Sequence, residues 1–324
     1  MSTESLGRGP NRQLGLSLVE LMIAVVIGLI LIGGLIQVYL SSKQSYNAQE
    51  QLARMQESGR FSMDLITRDL RRAGYTGGDV VALNSFDGSI PVPVPPAHAC
   101  GTTNEWGRMI GWRVSGLNNT NAGYGCASDY LGGSDILTVR YAGFDIINTA
   151  TTPLQSGAVY VRTTLRPPVG RVFAGAEAAA NQLVQETGTP DHLEAVVRPM
   201  VSNAYYVGDS GRTCNGQPVP ALYQVRLDPV TGVPVAEEVA PGVEQLQVRY
   251  LLNNTYVDAD AVGNNWPDVS AVRVWLLVRG ECPEPGLGST VIYDMGDTSW
   301  PTAPDNFRRQ LYVSTVMLRN TLVR

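Results

Sequence analysis

Two hydrophobic patterns follow one another at the start of the chain. From Gly15 to Ile36, in "GLSLVELMIAVVIGLILIGGLI", nearly every position is apolar, and the one charge is Glu20. No further charge occurs before Lys43. About 20 apolar residues suffice for a helix to span a bilayer core. The sequence then turns polar but keeps a helical period: Leu52, Met55, Gly59, Met63, Ile66, Leu70 and Ala73 recur at steps of three and four. That spacing draws one apolar stripe on a helix. Arg54, Glu57, Arg60, Asp64, Arg68, Arg71 and Arg72 fall on the other faces, and Gly74 is placed to cap the C-terminal end. The pattern predicts one helix over 16–73, membrane-spanning over 16–40.

Beyond residue 74 the period falls to two. "DILTVRYAG" (135–143), "GAVYVRTTL" (157–165), "NAYYVGD" (203–209), "GVEQLQVRYLL" (242–252), "VSAVRVWLLVRG" (269–280) and "RRQLYVSTVMLRN" (308–320) read as strands. "GSIPVPVPPAHAC", "SGLNNTNAGYGC", "CNGQPVP" and "GECPEPGLGST" separate them as turn-rich loops, and "GAEAAANQLV" (175–184) reads as a short helix. The class is α+β: a long N-terminal helix packed on a β-rich head over 74–324, with strands enough for two packed sheets.

The balance of 24 basic against 29 acidic residues, net −5, argues against a general nucleic-acid surface. Cys100, Cys126, Cys214 and Cys282 all follow the apolar segment, and none forms a Cys-x-x-Cys pair. An even count outside the cytosol reads as two disulfides, for which three pairings exist. Cys100–Cys126 with Cys214–Cys282 is preferred, because the first pair brackets a Gly/Asn-rich stretch. Four buried thiols are the plainer alternative. Zinc is disfavoured by wide spacings and by the presence of only two histidines, His98 and His192.

A carboxylate inside lipid is costly unless it is paired or protonated. A secretory signal peptide, cleaved near Ser41-Ser42, would have no use for Glu20; a partner that brings a positive charge would. Arg8 and Arg12 before the apolar run place the N-terminus in the cytoplasm and the bulk of the chain outside.

"GLSLVEL" (15–21) resembles the prepilin motif of type IV pilins and type II secretion pseudopilins. The resemblance implies a leader at 1–15, cleavage after Gly15 by the prepilin peptidase and methylation of the new N-terminus, Leu16. It also implies that Glu20 neutralises the free amino group of a neighbouring subunit and so guides filament docking. One departure stands out: Gln37 occupies a position where many major pilins carry proline, which leaves a bend to Gly33-Gly34 or to nothing. "FSMDLITRDLRRAGYTG" (61–77), "SDILTVRY" (134–141), "VEQLQVRY" (243–250) and the closing "RRQLYVSTVMLRN" are similar to the PilW family of minor pilins and to the related J-type pseudopilins. That family implies a minor subunit that helps start pilus assembly at or near the tip. The implied partners are other minor pilins, the major pilin, the inner-membrane assembly platform and a tip adhesin, with no nucleic acid. The head would be periplasmic first, then at the cell surface. A J-type pseudopilin and a membrane-anchored adhesin or binding module are the alternatives.

One catalytic reading was weighed against these. "GDSG" (208–211) looks like a serine-protease nucleophile segment, with Ser210, His98 and Asp129 or Asp135 as a triad. Arg212 replaces the glycine that the pattern requires, and "GDSGRTC" reads equally as a turn. No nucleotide or zinc-protease motif occurs, so no enzyme activity, cofactor or metal is implied. The two "NNT" stretches, at Asn118 and Asn253, read as turns rather than glycosylation sites.

Overall fold

The apolar run and the stripe fall on one helix. A computed structural model describes residues 17–77, 100–101, 105–149, 151–163, 170–178 and 196–320. Helix α1, Leu18–Arg72, passes unbroken through Gly28, Gly33, Gly34 and Gln37. The chain divides into two units, residues 1–50 and 51–324. In the first unit, every large apolar side chain from Leu18 to Leu40 is more than half exposed.

In the second unit, α1 turns one face inward. Met55, Gly59, Ser62, Ile66 and Leu70 are buried, and so is Asp69. Gly59 explains itself here: a Cβ at this position would lie 2.2 Å from the Tyr312 ring. A glycine within a helix costs about 1 kcal/mol relative to alanine, and the close approach of Tyr312 is what it permits. Past the last turn Gly74 takes φ +77°. The Asn320 amide donates to the carbonyls of Arg72 (3.4 Å) and Ala73 (3.3 Å), supplying partners that a helix end otherwise lacks.

The remaining elements, in chain order, are α2 (Glu105–Arg108), β1 (Val114–Leu117), β2 (Ile136–Ala142), β3 (Val159–Thr163), β4 (Gly170–Ala174), β5 (Val196–Cys214), β6 (Gln217–Leu227), β7 (Pro234–Pro241), β8 (Val243–Leu252), β9 (Thr255–Val257), α3 (Ala259–Val262), β10 (Ala271–Arg279), β11 (Tyr293–Met295), β12 (Thr298–Trp300) and β13 (Arg309–Met317). A seven-stranded sheet has the order β1-β2-β5-β3-β4, with β6 and then β7 added on β5. A four-stranded sheet has the order β13-β10-β8-β9, and β11 pairs with β12 alone. All strand pairs are antiparallel. One core joins Leu137, Val139 and Tyr205 of the larger sheet to Leu246, Val248, Val274 and Leu276 of the smaller, with Ile66 and Leu70 of α1. Each fully buried aliphatic side chain contributes roughly 1.5–3 kcal/mol.

Several expectations change. "GDSGRTC" is strand rather than turn: β5 runs on to Cys214, with a register shift between Asp209 and Thr213. The turn comes one step later at Asn215 (φ 50°) and Gly216 (φ 76°). Asn-Gly supplies the two positive φ values that a tight hairpin needs. The second half of "CNGQPVP" is likewise strand: the Pro220 carbonyl accepts from Gly242 N–H (2.8 Å) and that of Pro218 from Arg279, so the missing N–H groups fall on the side away from β5. Of the short helix expected over 175–184, the described part holds a 3-10 turn at Gly175–Glu177. Residues 179–195 lie outside the described residues.

Disulfides join Cys100 to Cys126 and Cys214 to Cys282, with Cα–Cα distances of 5.5 and 5.1 Å. The second ties the β5–β6 hairpin of the larger sheet to the segment after β10 of the smaller. From separations of 26 and 68 residues, chain entropy assigns them roughly 3.5 and 4.5 kcal/mol.

Candidate functional site

The anchor segment begins at a capped helix start. Ser17 Oγ accepts the N–H of Val19 (3.3 Å), and the Ser17 carbonyl accepts that of Leu21 (3.1 Å). Glu20 lies in the first turn, where a carboxylate favours the helix end by about 0.3–1 kcal/mol. Burial of a charge in lipid costs several times that, so the helix end alone does not account for it. Among the described residues no donor reaches the Glu20 carboxylate, and its neighbours Leu18, Val19, Leu21 and Met22 are 75%, 62%, 56% and 59% exposed. The segment is long and apolar enough to cross a membrane. Gly15 and Leu16 lie outside the described residues, as does the leader.

Farther along α1 a second carboxylate is treated in the opposite way. Asp69, 4% exposed, accepts hydrogen bonds from Tyr141 Oη (2.9 Å), Asn203 Nδ2 (2.6 Å) and Tyr205 Oη (2.6 Å). Gln224 Nε2 in turn donates to Tyr205 Oη (3.2 Å). Burial first, and then the Asp69 charge, push both tyrosine hydroxyls well above their ordinary pKa. They therefore remain donors at any physiological pH. β2 and β5 are thus fastened to the helix by a carboxylate on its buried face. The stripe read from the sequence omitted Asp69, although its position three after Ile66 and seven after Ser62 puts it on that face.

A third carboxylate joins the two sheets. Asp135 accepts the N–H of Asn119 (2.9 Å) and, from β8, that of Val248 (2.7 Å). The N–H of Asp135 donates to Leu246 O (2.8 Å). Desolvation raises its pKa to about 7; the two backbone donors and Arg249 oppose the rise, and Asp297 adds to it.

The described members of the protease-like set are engaged elsewhere. Ser210 Oγ donates to the Val219 carbonyl (2.6 Å) across the β5–β6 hairpin. The Asp129 carbonyl accepts from Asp209 N–H (2.7 Å), and the Asp135 carboxylate holds the bonds just described. His98 and His192 lie outside the described residues. Among the described residues no cluster of three metal-ligating side chains occurs. A fully buried cation instead serves the scaffold. Arg140 donates to the carbonyls of Trp106 and Trp112 (3.0 Å each) and to Ser115 Oγ (3.1 Å), and burial lowers its pKa to about 10.

Two parts of the chain are similar to known families. Residues 204–320 match the family model of Type IV Pilus-assembly protein W, and residues 10–36 match the prokaryotic N-terminal methylation motif. The first match takes in most of β5 and everything from β6 to Asn320. The second takes in Gly15, Leu16 and Glu20. No curated protein matches the chain. Among solved structures, a type IV-like pilin from Thermus thermophilus is similar, with 14% identity and a TM-score of 0.37 over 83% of this chain and 99% of its own. The two family models thus support the resemblance to the PilW family over residues 204–320 and the resemblance to the prepilin motif over residues 10–36.

Proposed function

We propose that the protein is a non-enzymatic minor pilin that helps initiate a type IV pilus, in a complex of minor pilins at or near the tip. The observation that carries the reading is Glu20: one carboxylate with no donor among the described residues, on a helix otherwise fit for lipid. A carboxylate and an ammonium are each costly in a dry apolar medium and tolerable together. Cleavage after Gly15 creates such an ammonium on the neighbouring subunit, at its own equivalent of Leu16. The helix docks laterally through that pair, while the β-rich head, outside the cytoplasm, selects its partners. The head is large for a repeating shaft subunit, which favours a place needing few copies.

Two measurements test this. Mass analysis of the mature N-terminus should begin at methylated Leu16; a start near Ser42 would identify a secreted protein instead. Cells lacking the gene should lose surface pili and keep exoprotein secretion; the reverse result would assign the chain to a J-type pseudopilin.

A further inference from the structure

Among the described residues, the two larger sheets of the head present five outer strands, and four of them are blunted. β1, β4 and β9 are four, five and three residues long. β7 begins and ends on proline, carries exposed Glu237 and Glu238, and departs from regular register beside Leu222. Short length, proline, charge and bulges are the devices by which natural sheets avoid pairing with another chain. β13 has none of them. It is nine residues long, pairs with β10 without a register shift, and carries neither charge nor proline from Gln310 to Met317.

The hydrogen-bond parity of this strand is fixed at its two ends. Gly280 N–H donates to Arg308 O and Leu318 N–H donates to Ser270 O, each at 2.9 Å. Even-numbered residues of β13 therefore face β10, and Leu311, Val313, Thr315 and Met317 aim N–H and C=O at the free edge. Tyr293 Oη reaches the outward carbonyl of Arg309 (3.2 Å), as this parity requires. Among the described residues no strand pairs with that edge. Val313 and Met317 stand 53% and 68% exposed beside it.

The two ends of the edge differ in charge. At the start, Arg308 pairs with Glu284 (2.9 Å), and Arg309 with Glu244 (2.6 Å) and Asp305 (2.5 Å). At the finish, Arg273 donates to Thr315 Oγ1 (3.0 Å) and lies over the Tyr256 ring (4.4 Å). Among the described residues neither Arg273 nor Arg319 meets a carboxylate.

We propose that the free edge of β13 is a docking strand for an extended segment of a different pilin-like subunit. That segment is uncharged along most of its length, with aliphatic side chains beside Val313 and Met317. It carries an acidic residue at the end that meets Arg273 and Arg319. Main-chain bonds give such an added strand its affinity, and the alternate side chains and terminal charge give it selectivity. The inference rests on the proposed function for the class of partner.

The test uses the full chain in piliated cells, with a photo-crosslinking residue at Met317. The expected adduct joins it to a different subunit bearing a prepilin motif, within an uncharged extended segment that ends in an acid. Val313→Pro removes only an outward N–H, and Val313→Lys places a charge on the edge; each should cut the adduct about fivefold to tenfold. Melting of both variants should match the unsubstituted protein, and Val235→Lys on β7 should leave the adduct unchanged. An adduct with a second copy of this chain, with a protein lacking the motif, or with nothing would overturn the proposal. So would undiminished adduct in both Val313 variants. Filament content of the unsubstituted protein is read in the same cells: its absence there defeats the proposed function, whereas its presence with undiminished adduct defeats this inference alone.

Discussion

Glu20 and Asp69 are carboxylates on one helix, and they meet opposite surroundings. Asp69 is buried and receives three hydrogen bonds from β2 and β5. Glu20 is surrounded by exposed aliphatic side chains and receives none among the described residues. A carboxylate whose donors are internal belongs to the fold; in the proposed function, one whose donor comes from a neighbouring subunit belongs to assembly. The comparison separates a carboxylate bonded within the head from one that, among the described residues, has no donor in the anchor.

The largest effect is expected at the internal carboxylate. Asp69→Ala leaves two buried hydroxyls and an amide without their acceptor. It should destabilise the head by about 3–5 kcal/mol. All five tryptophans lie beyond residue 100, so chemical denaturation of the detergent-solubilised chain, followed by tryptophan fluorescence, reports on the head alone. A loss below about 1 kcal/mol would break the distinction between the two carboxylates.

A smaller effect is expected on the same buried face. Gly59→Val pushes side-chain atoms into the Tyr312 ring and should cost about 1–3 kcal/mol by the same assay. The equivalent change at Gly28, whose added Cβ meets nothing within 4 Å, should leave head stability unchanged.

Asp135 gives a weaker and pH-dependent signal. Its folded pKa, about 7, lies above the ordinary carboxylate value. The folded state therefore holds the proton more tightly than the unfolded chain does. The associated stability is complete below about pH 4 and is lost as pH rises through about 7. The melting temperature of the head should fall between pH 5 and pH 8. Asp135→Asn, which cannot titrate, should flatten that slope while lowering stability at acid pH, since its amide cannot accept from both Asn119 and Val248. An unchanged slope in the variant would remove Asp135 as its source.

The anchor was legible in the sequence because its signals are local. The apolar run, the 3.6-residue stripe, the Gly74 cap and the offset from Gly15 to Glu20 are all read within a few turns. The strongest strands were legible for the same reason. Asp69 was less so, because its donors come from residues 72, 134 and 136 positions away. β6 was obscured by Pro218 and Pro220, which suit a loop until the side on which their missing N–H groups fall is known. The exposed edge of β13 is invisible in principle, since a period of two reveals which face is buried and not which neighbour is missing.

The central claim is that Glu20 acts between molecules while the head folds without it. Glu20→Ala should leave the denaturation midpoint of the head within about 0.5 kcal/mol of the unsubstituted protein. The same variant, in cells, should lose most of its incorporation into sheared surface filaments while remaining processed at Gly15. Normal incorporation of processed Glu20→Ala protein would contradict the account.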